Sequence, residues 1–229
     1  MRKNTLYEIA RTFIHAYSKL LLRMDIHWHD PLPDGPKLFI ANHPSASDPF
    51  LIHLLSRMSV LITTNAFAFP LFGPYLRRAG QIEVIPGGDA IEQACQLLWQ
   101  GHSVGIFPEG DFSPQEGGFR KPRSGAARLA LRTGVPVVPV GIYFPRERSL
   151  RIESKFGGHS RVGYWYLHGP YAITVGQPMR FEGDADNREH IQSVTDTMME
   201  WIQSLTNESQ ERFCKLFPSL SSAAKIAMF

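Results

Sequence analysis

With 229 residues, 43% of them apolar and 20% charged, the chain is long enough for one substantial α/β domain and ordinary in composition for a folded protein. A formal net charge of +3 says little by itself, and two cysteines far apart, Cys95 and Cys214, exclude a disulfide framework and a cysteine metal site. A secretory signal is not expected, because the N-terminus lacks an uninterrupted apolar core and a small-residue cleavage site, and a membrane span is not expected, because no run of about twenty apolar residues occurs.

In chain order, Leu6, Ile9, Phe13, Ile14, Tyr17, Leu20, Leu21 and Met24 recur at helical spacing, with Arg11, His15, Lys19 and Arg23 between them. The spacing predicts an amphipathic helix over residues 4–24, which either packs on the domain or lies in a membrane interface. Asp30 to Pro36 is a turn-rich break, and Leu38 to Ala41 a short apolar strand. A helix is expected from Pro49 to Met58 and a strand from Val60 to Thr63, then a helix over 71–79 and a strand over 81–85. Asp89 and Glu92 have capping-box spacing for a helix reaching Gln100. Strand 103–107, helix 124–133 and strand 135–143 follow, then strands near 162–167 and 172–175 and a helix from Asn187 to about Leu205. The alternation reads as an α/β fold, with a mainly parallel or mixed central sheet flanked by helices. Cys95 reads as a small core residue.

Two segments carry chemistry. Asn42-His43-Pro44-Ser45-Ala46-Ser47-Asp48 sits where a strand gives way to a helix, the end at which α/β folds place their sites. A carboxylate on one imidazole nitrogen leaves the other free to take a proton from a hydroxyl, which suggests His43 as general base and Asp48 as its orienting group. The plainer reading is that Asp48 caps the helix and His43 is a loop residue. Phe107-Pro108-Glu109-Gly110 ends a second apolar strand, where Glu109 either meets substrate hydroxyls, tunes His43, or belongs to a surface turn. Between Gly117 and Arg146 there is no acid, while Arg120, Lys121, Arg123, Arg128, Arg132 and Arg146 are present. Such a stretch suits phosphate or an anionic surface, or is a solvated basic face.

Together, these segments resemble the glycerolphosphate and lysophosphatidate acyltransferase superfamily over roughly residues 36 to 180. The Asn-His-x4-Asp motif is matched by Asn42, His43 and Asp48. The Phe-Pro-Glu-Gly motif is matched by Phe107, Pro108, Glu109 and Gly110, with Ser113 following. The basic segment after it is approximated by Phe119 to Arg128, the Val-Pro strand by Val135 to Val140, and a late Gly-x-Pro turn by Gly176 to Pro178. The resemblance implies a fatty acyl group moving from an acyl thioester, acyl-CoA or acyl-ACP, directly to a hydroxyl of a lysophospholipid or related lipid. His43 and Asp48 would be catalytic, and Asn42, Phe107, Pro108, Glu109, Gly110, Ser113, Lys121 and Pro136 would form the substrate site. Lys121 or backbone N–H groups would meet the developing oxyanion. No metal and no cofactor beyond the acyl donor are implied, and no nucleophilic serine elbow is needed.

Two departures bear on the acceptor. Asp111 and Phe112 stand where the family's third motif carries Thr and Arg, and Pro86 follows the strand that usually ends in Arg. Each charge-assisted contact is worth roughly 1.5–3 kcal/mol, so this pattern disfavours a phosphate at that spot unless Arg77, Arg78, Arg120 or Arg123 substitutes. The expected layout is an N-terminal amphipathic element over 1–30, an acyltransferase domain over 31–210 and a tail over 211–229. The expected location is cytoplasmic, peripheral at the cytoplasmic membrane face. Alternatives are a lipid-binding protein without turnover, an acyltransferase for a non-phosphate acceptor such as a glycolipid, and a metal hydrolase using His43, Asp48, Glu109 and His102. Nucleic-acid binding is not expected, since the basic residues lack aromatic interleaving.

Overall fold

In the computed structural model, which describes residues 5–70, 72–156 and 159–220, β2 (Leu38–Ala41) is the middle strand of a seven-stranded sheet. With elements numbered along the chain, the order across the sheet is β1 (Asp25–Trp28), β9 (Ala172–Val175), β6 (Val137–Tyr143), β2, β5 (Ser103–Ile106), β3 (Met58–Thr63) and β4 (Ile82–Val84). The five strands from β6 to β4 run parallel, while β9 pairs antiparallel with β6 and carries β1 parallel to itself. β7 (Leu150–Phe156) and β8 (His159–Trp165) form a separate antiparallel hairpin.

β2 is buried on both faces, as an interior strand of a parallel sheet must be. Its side chains alternate between two cores. Phe39 and Ala41 join the core lined by Leu22, Leu51, Phe67 and Leu76, which lies under α1 (Thr5–Leu20), α2 (Asp48–Leu51), α3 (Thr64–Ala68) and α4 (Phe72–Arg78). Leu38 and Ile40 join the opposite core, covered by α5 (Ala90–Trp99), α6 (Gly125–Thr133) and α7 (Arg188–Leu216). Cys95 is fully buried in this second core, and both cysteines are free.

Several elements differ from the sequence expectation for identifiable reasons. The helix expected over 49–58 is one α turn followed by a 3-10 turn at Ile52–Leu54, because β3 already begins at Met58. The capping box does not form: Asp89 Oδ1 accepts from Gln93 Nε2 at 2.7 Å and gives α5 no side-chain cap. β1 was not expected, since an exposed edge strand needs no apolar run, and it brings residues before position 31 into the main sheet. No strand is expected at β7, because residues 150–153 alternate apolar and charged side chains that are all exposed. α7 continues to Leu216, burying Ser209 and Phe213 beyond the expected end. Residues 1–4 of the N-terminal helix reading, residue 71 and residues 221–229 of the tail lie outside the described residues.

α7 lies directly on β6 and β9, and small residues make this approach possible. A Cβ at Gly141 would sit 2.2 Å from the backbone of Leu205 and Thr206. Ser209 uses the same closeness, with its hydroxyl donating to the Gly141 carbonyl at 3.0 Å and 2.7 Å from Thr174 Oγ1. Overpacking of this kind typically costs about 1–3 kcal/mol. Gly141→Ala should therefore lower the melting temperature by roughly 4–10 °C, as read by thermal denaturation, because α7 has to move off the sheet.

Candidate active site

The site forms at the carboxyl ends of β2 and β5. Asn42, fully buried, extends β2 by one residue in an unusual way: its amide Nδ2 donates to the Ile142 carbonyl at 2.9 Å, and its Oδ1 accepts from the Ile142 N–H at 2.8 Å. A side chain thus takes the place of backbone pairing with β6. The chain is then free to turn, and His43 leaves the sheet with its ring partly exposed.

Asp48 is the first residue of α2 and has no exposed surface. Its Oδ2 lies 2.9 Å from His43 Nδ1 and accepts from the Ser45 N–H at 2.7 Å. Its Oδ1 accepts from the Tyr171 hydroxyl at 2.5 Å. A carboxylate can only accept, so Nδ1 of His43 carries the proton and Nε2 presents its lone pair. Phe107 stacks under the imidazole at 4.3 Å between centroids, and Phe112 leans against it at 4.8 Å. The ring is held by a hydrogen bond at one edge and by aromatic faces, an arrangement suited to a base with one open nitrogen.

Glu109 is buried, not part of a surface turn. Its Oε1 accepts from the Ser113 hydroxyl at 2.5 Å and the His43 N–H at 3.2 Å, and its Oε2 from the Arg120 N–H at 2.8 Å. The Ser113 N–H returns to the His43 carbonyl at 2.8 Å. Glu109 therefore binds the His43 loop to the Phe107–Arg120 loop. Gly110 makes the sharp turn between them with φ +66°, and a Cβ there would meet the Arg123 side chain at 2.5 Å. Pro108 is buried and accepts from the Arg123 N–H at 2.8 Å.

Of the residues expected at the substrate site, Phe107, Glu109, Gly110 and Ser113 surround His43. Asn42, Glu109 and Ser113 are buried and hydrogen-bonded to neighbouring backbone and side chains, which holds the loops of the site together. Lys121 is exposed beside Arg120. Pro136 is not at the site: its carbonyl accepts from the Leu38 N–H at the other end of β2, about 13 Å away along the strand. The metal-hydrolase ligand set is not assembled either, because His102 precedes β5 at that same far end.

Four contributors are not among the expected site residues. Tyr171 arrives from the start of β9, and Ser45 donates through its backbone. Arg146, half-buried, donates to the carbonyls of Pro114 and Gly118. Desolvation lowers its pKa, against the opposing pull of the Glu109 and Asp48 carboxylates. Phe112 forms an edge-on contact with Tyr164 of the hairpin at 6.2 Å. The hairpin is stitched to the site loop: the Ala46 N–H donates to the Tyr164 carbonyl at 2.7 Å and the Tyr166 N–H to Ser45 Oγ at 3.0 Å. Beyond it, Trp165, Phe72 and Phe50 make a chain of ring contacts at 6.5 and 5.9 Å. Two surface depressions, of about 290 and 630 Å³, lie along α7 and do not reach His43.

The strands that carry this carboxylate-held histidine fall within a region that matches a family of transferases. The sequence model of the acyltransferase family matches residues 23–143, and the chain belongs to that family. A chloroplastic 1-acyl-sn-glycerol-3-phosphate acyltransferase of Brassica napus is 30% identical over 146 residues, covering 57% of this chain and 42% of the relative. A lyso-ornithine lipid O-acyltransferase of Pseudomonas aeruginosa is 32% identical over 130 residues, covering 55% of this chain and 50% of the relative. The crystal structure of the 1-acyl-sn-glycerophosphate acyltransferase PlsC from Thermotoga maritima matches with a TM-score of 0.61 at 21% identity, over 90% of this chain and 84% of that one, which shows the shared fold. The chain spans half or less of the length of these two curated relatives.

The pair's burial has a consequence that can be measured. Burial, first, and the neighbouring Asp48 charge raise the Tyr171 pKa well above 10, and burial pushes that of Tyr166 up to about 12. The unfolded chain releases these phenolic protons near pH 10 while the folded chain keeps them, so stability is complete below pH 10 and falls as pH rises above it. Chemical denaturation between pH 8 and 11 should show this loss. Tyr171→Phe should make it shallower by about one proton, while lowering stability at pH 8 by about 1–3 kcal/mol through the unsatisfied Asp48 oxygen.

Proposed function

We propose that the protein is a lysolipid O-acyltransferase that moves a fatty acyl group from acyl-CoA or acyl-ACP to a lipid hydroxyl. The observation that carries this reading is the His43–Asp48 pair, joined at 2.9 Å through Nδ1, with the carboxylate fully buried and the imidazole partly exposed. The family membership and the activities of the relatives support it.

In this reading Nε2 of His43 accepts the acceptor's hydroxyl proton as the oxygen attacks the thioester carbonyl. The tetrahedral intermediate collapses by breaking the carbon–sulfur bond, and the imidazolium returns its proton to the departing thiolate. Asp48 holds the tautomer and stabilises the imidazolium. No acyl-enzyme is required, and bringing two substrates to one base supplies much of the rate. The intact pair favours turnover over a purely lipid-binding role. The aromatic array of Phe50, Phe72 and Trp165 offers an apolar wall for the acyl chain.

A second reading concerns the acceptor headgroup, and Phe112 favours it. The position that carries Arg in the resembled motif holds a ring 4.8 Å from the His43 ring, with the exposed carboxylate of Asp111 before it. Among the expected substitutes, Arg77 turns to Glu83 and the Phe67 carbonyl, and Arg120 donates to the Phe112 carbonyl. The acceptor in this reading has a headgroup other than a phosphomonoester.

Purified protein with labelled acyl-CoA or acyl-ACP and a panel containing lysophosphatidate and lyso-ornithine lipid tests both readings. His43→Ala should lower kcat by about 10³-fold or more and Asp48→Asn by about 10²-fold or more, with unchanged circular dichroism. Undiminished turnover in His43→Ala removes the base from the mechanism. A wide preference for lysophosphatidate overturns the headgroup reading alone.

The protein is also proposed to act peripherally at a membrane, at its cytoplasmic face. Among the described residues no helix is long and apolar enough to cross one. α1 packs Ile14 and Tyr17 on the core yet leaves Phe13 and Leu20 at 71% and 78% exposure. Phe13→Ser with Leu20→Ser should reduce sedimentation with anionic vesicles several-fold, and salt should reduce binding by the unaltered chain. Equal vesicle binding would leave α1 a packing role only.

A further inference from the structure

His27 lies in β1 and His29 one residue past its end, where the His29 N–H still donates to the Val175 carbonyl, so both rings leave the same face of the strand. Glu208, on α7, faces them with one oxygen toward each. Its Oε2 lies 2.8 Å from His29 Nε2, and its Oε1 3.9 Å from His27 Nε2. The two imidazoles meet edge-on at 5.7 Å between centroids, so they do not stack away from a common point. One donor atom from each of the three residues falls within 4.8 Å of the others, and among the described residues no other set of three His, Cys, Asp or Glu side chains converges in this way. All three side chains are partly exposed, which gives a hydrated ion access.

We propose that His27, His29 and Glu208 form a binding site for Zn²⁺, with water completing a tetrahedral set. Two imidazoles and a carboxylate match zinc's preference for nitrogen and oxygen donors at 2.0–2.2 Å. Tetrahedral bonds of that length separate ligand atoms by roughly 3.3 Å, so His27 Nε2 moves about half an ångström toward Glu208 and His29 Nε2 about half an ångström away from it. Arg212 supports the carboxylate from behind: its Nη1 lies 3.8 Å from Glu208 Oε1 and donates to Thr174 Oγ1 at 3.0 Å, while its Nε pairs with Asp25. Asp25 offsets the guanidinium charge, and Glu208 keeps the cluster negative before a dication arrives. Such outer partners fix a metal ligand's orientation.

The site is separate from the acyl-transfer centre. β9 and β6 stand between β1 and β2, which puts the cluster about 14 Å across the sheet from the strand that bears His43. Its ligands come from the edge strand that follows α1 and from the long terminal helix. A bound zinc ion ties these two ends of the chain together and stabilises the folded state by mass action.

The test is equilibrium dialysis of the untagged, chelator-stripped full chain against buffered Zn²⁺, with metal analysis and melting curves. One zinc ion per chain at micromolar free metal is expected, with a higher melting temperature. His27→Ala, His29→Ala and Glu208→Gln should each weaken binding by about tenfold or more and abolish the zinc-induced shift. His43→Ala should keep both. Metal-free melting temperatures of the variants verify that they fold, and His27→Gln serves if His27→Ala does not. Lack of saturable binding up to about 100 μM zinc, or binding unaffected by all three ligand variants, overturns the proposal, as does zinc lost only in His43→Ala.

Discussion

A buried carboxylate with three donors is the constraint around which this structure is arranged. An ionised Asp48 without surface exposure would be costly by several kcal/mol if left alone. It is stabilised from three directions of the chain: Ser45 from its own loop, His43 from the end of β2 and Tyr171 from the start of β9. None of those donors can shift without leaving charge unsatisfied in a low-dielectric interior. The orientation of His43 is thus a by-product of solving a solvation problem.

The same logic repeats at Glu109 and Asn42. Each is a buried polar group whose partners lie on separate segments, and each settles a place where backbone pairing ends. Asn42 replaces a rung of the β2–β6 ladder, and Glu109 takes up backbone N–H groups of two loops. Polar residues in such a motif are read naturally as substrate contacts. Here burial and hydrogen bonding tie them into the framework around the His43 ring.

Much of this was legible from one chain. The interior strands were visible because strands buried on both faces must be continuous apolar runs, as at Leu38–Ala41, Ser103–Ile106 and Ala172–Val175. The His43–Asp48 contact was legible because both residues sit on one short loop. What escaped lacked either property. β1 is an exposed edge, the β7–β8 hairpin lies outside the cores, and Tyr171 reaches Asp48 from 123 positions away. Pro136 was misplaced because a motif's order along the chain does not say which end of a strand faces the chemistry.

The hairpin β7–β8 and the segment just after it hold the His43–Asp48 loop through Ala46 and Ser45 while also supplying Tyr164 and Trp165 to the neighbouring ring contacts. On the proposed function, selecting a fatty chain and aiming a proton acceptor would be tasks of a single mechanical unit. A change in this ribbon that admits a new lipid would then also disturb the loop at Ser45, so neither property could be altered independently of the other.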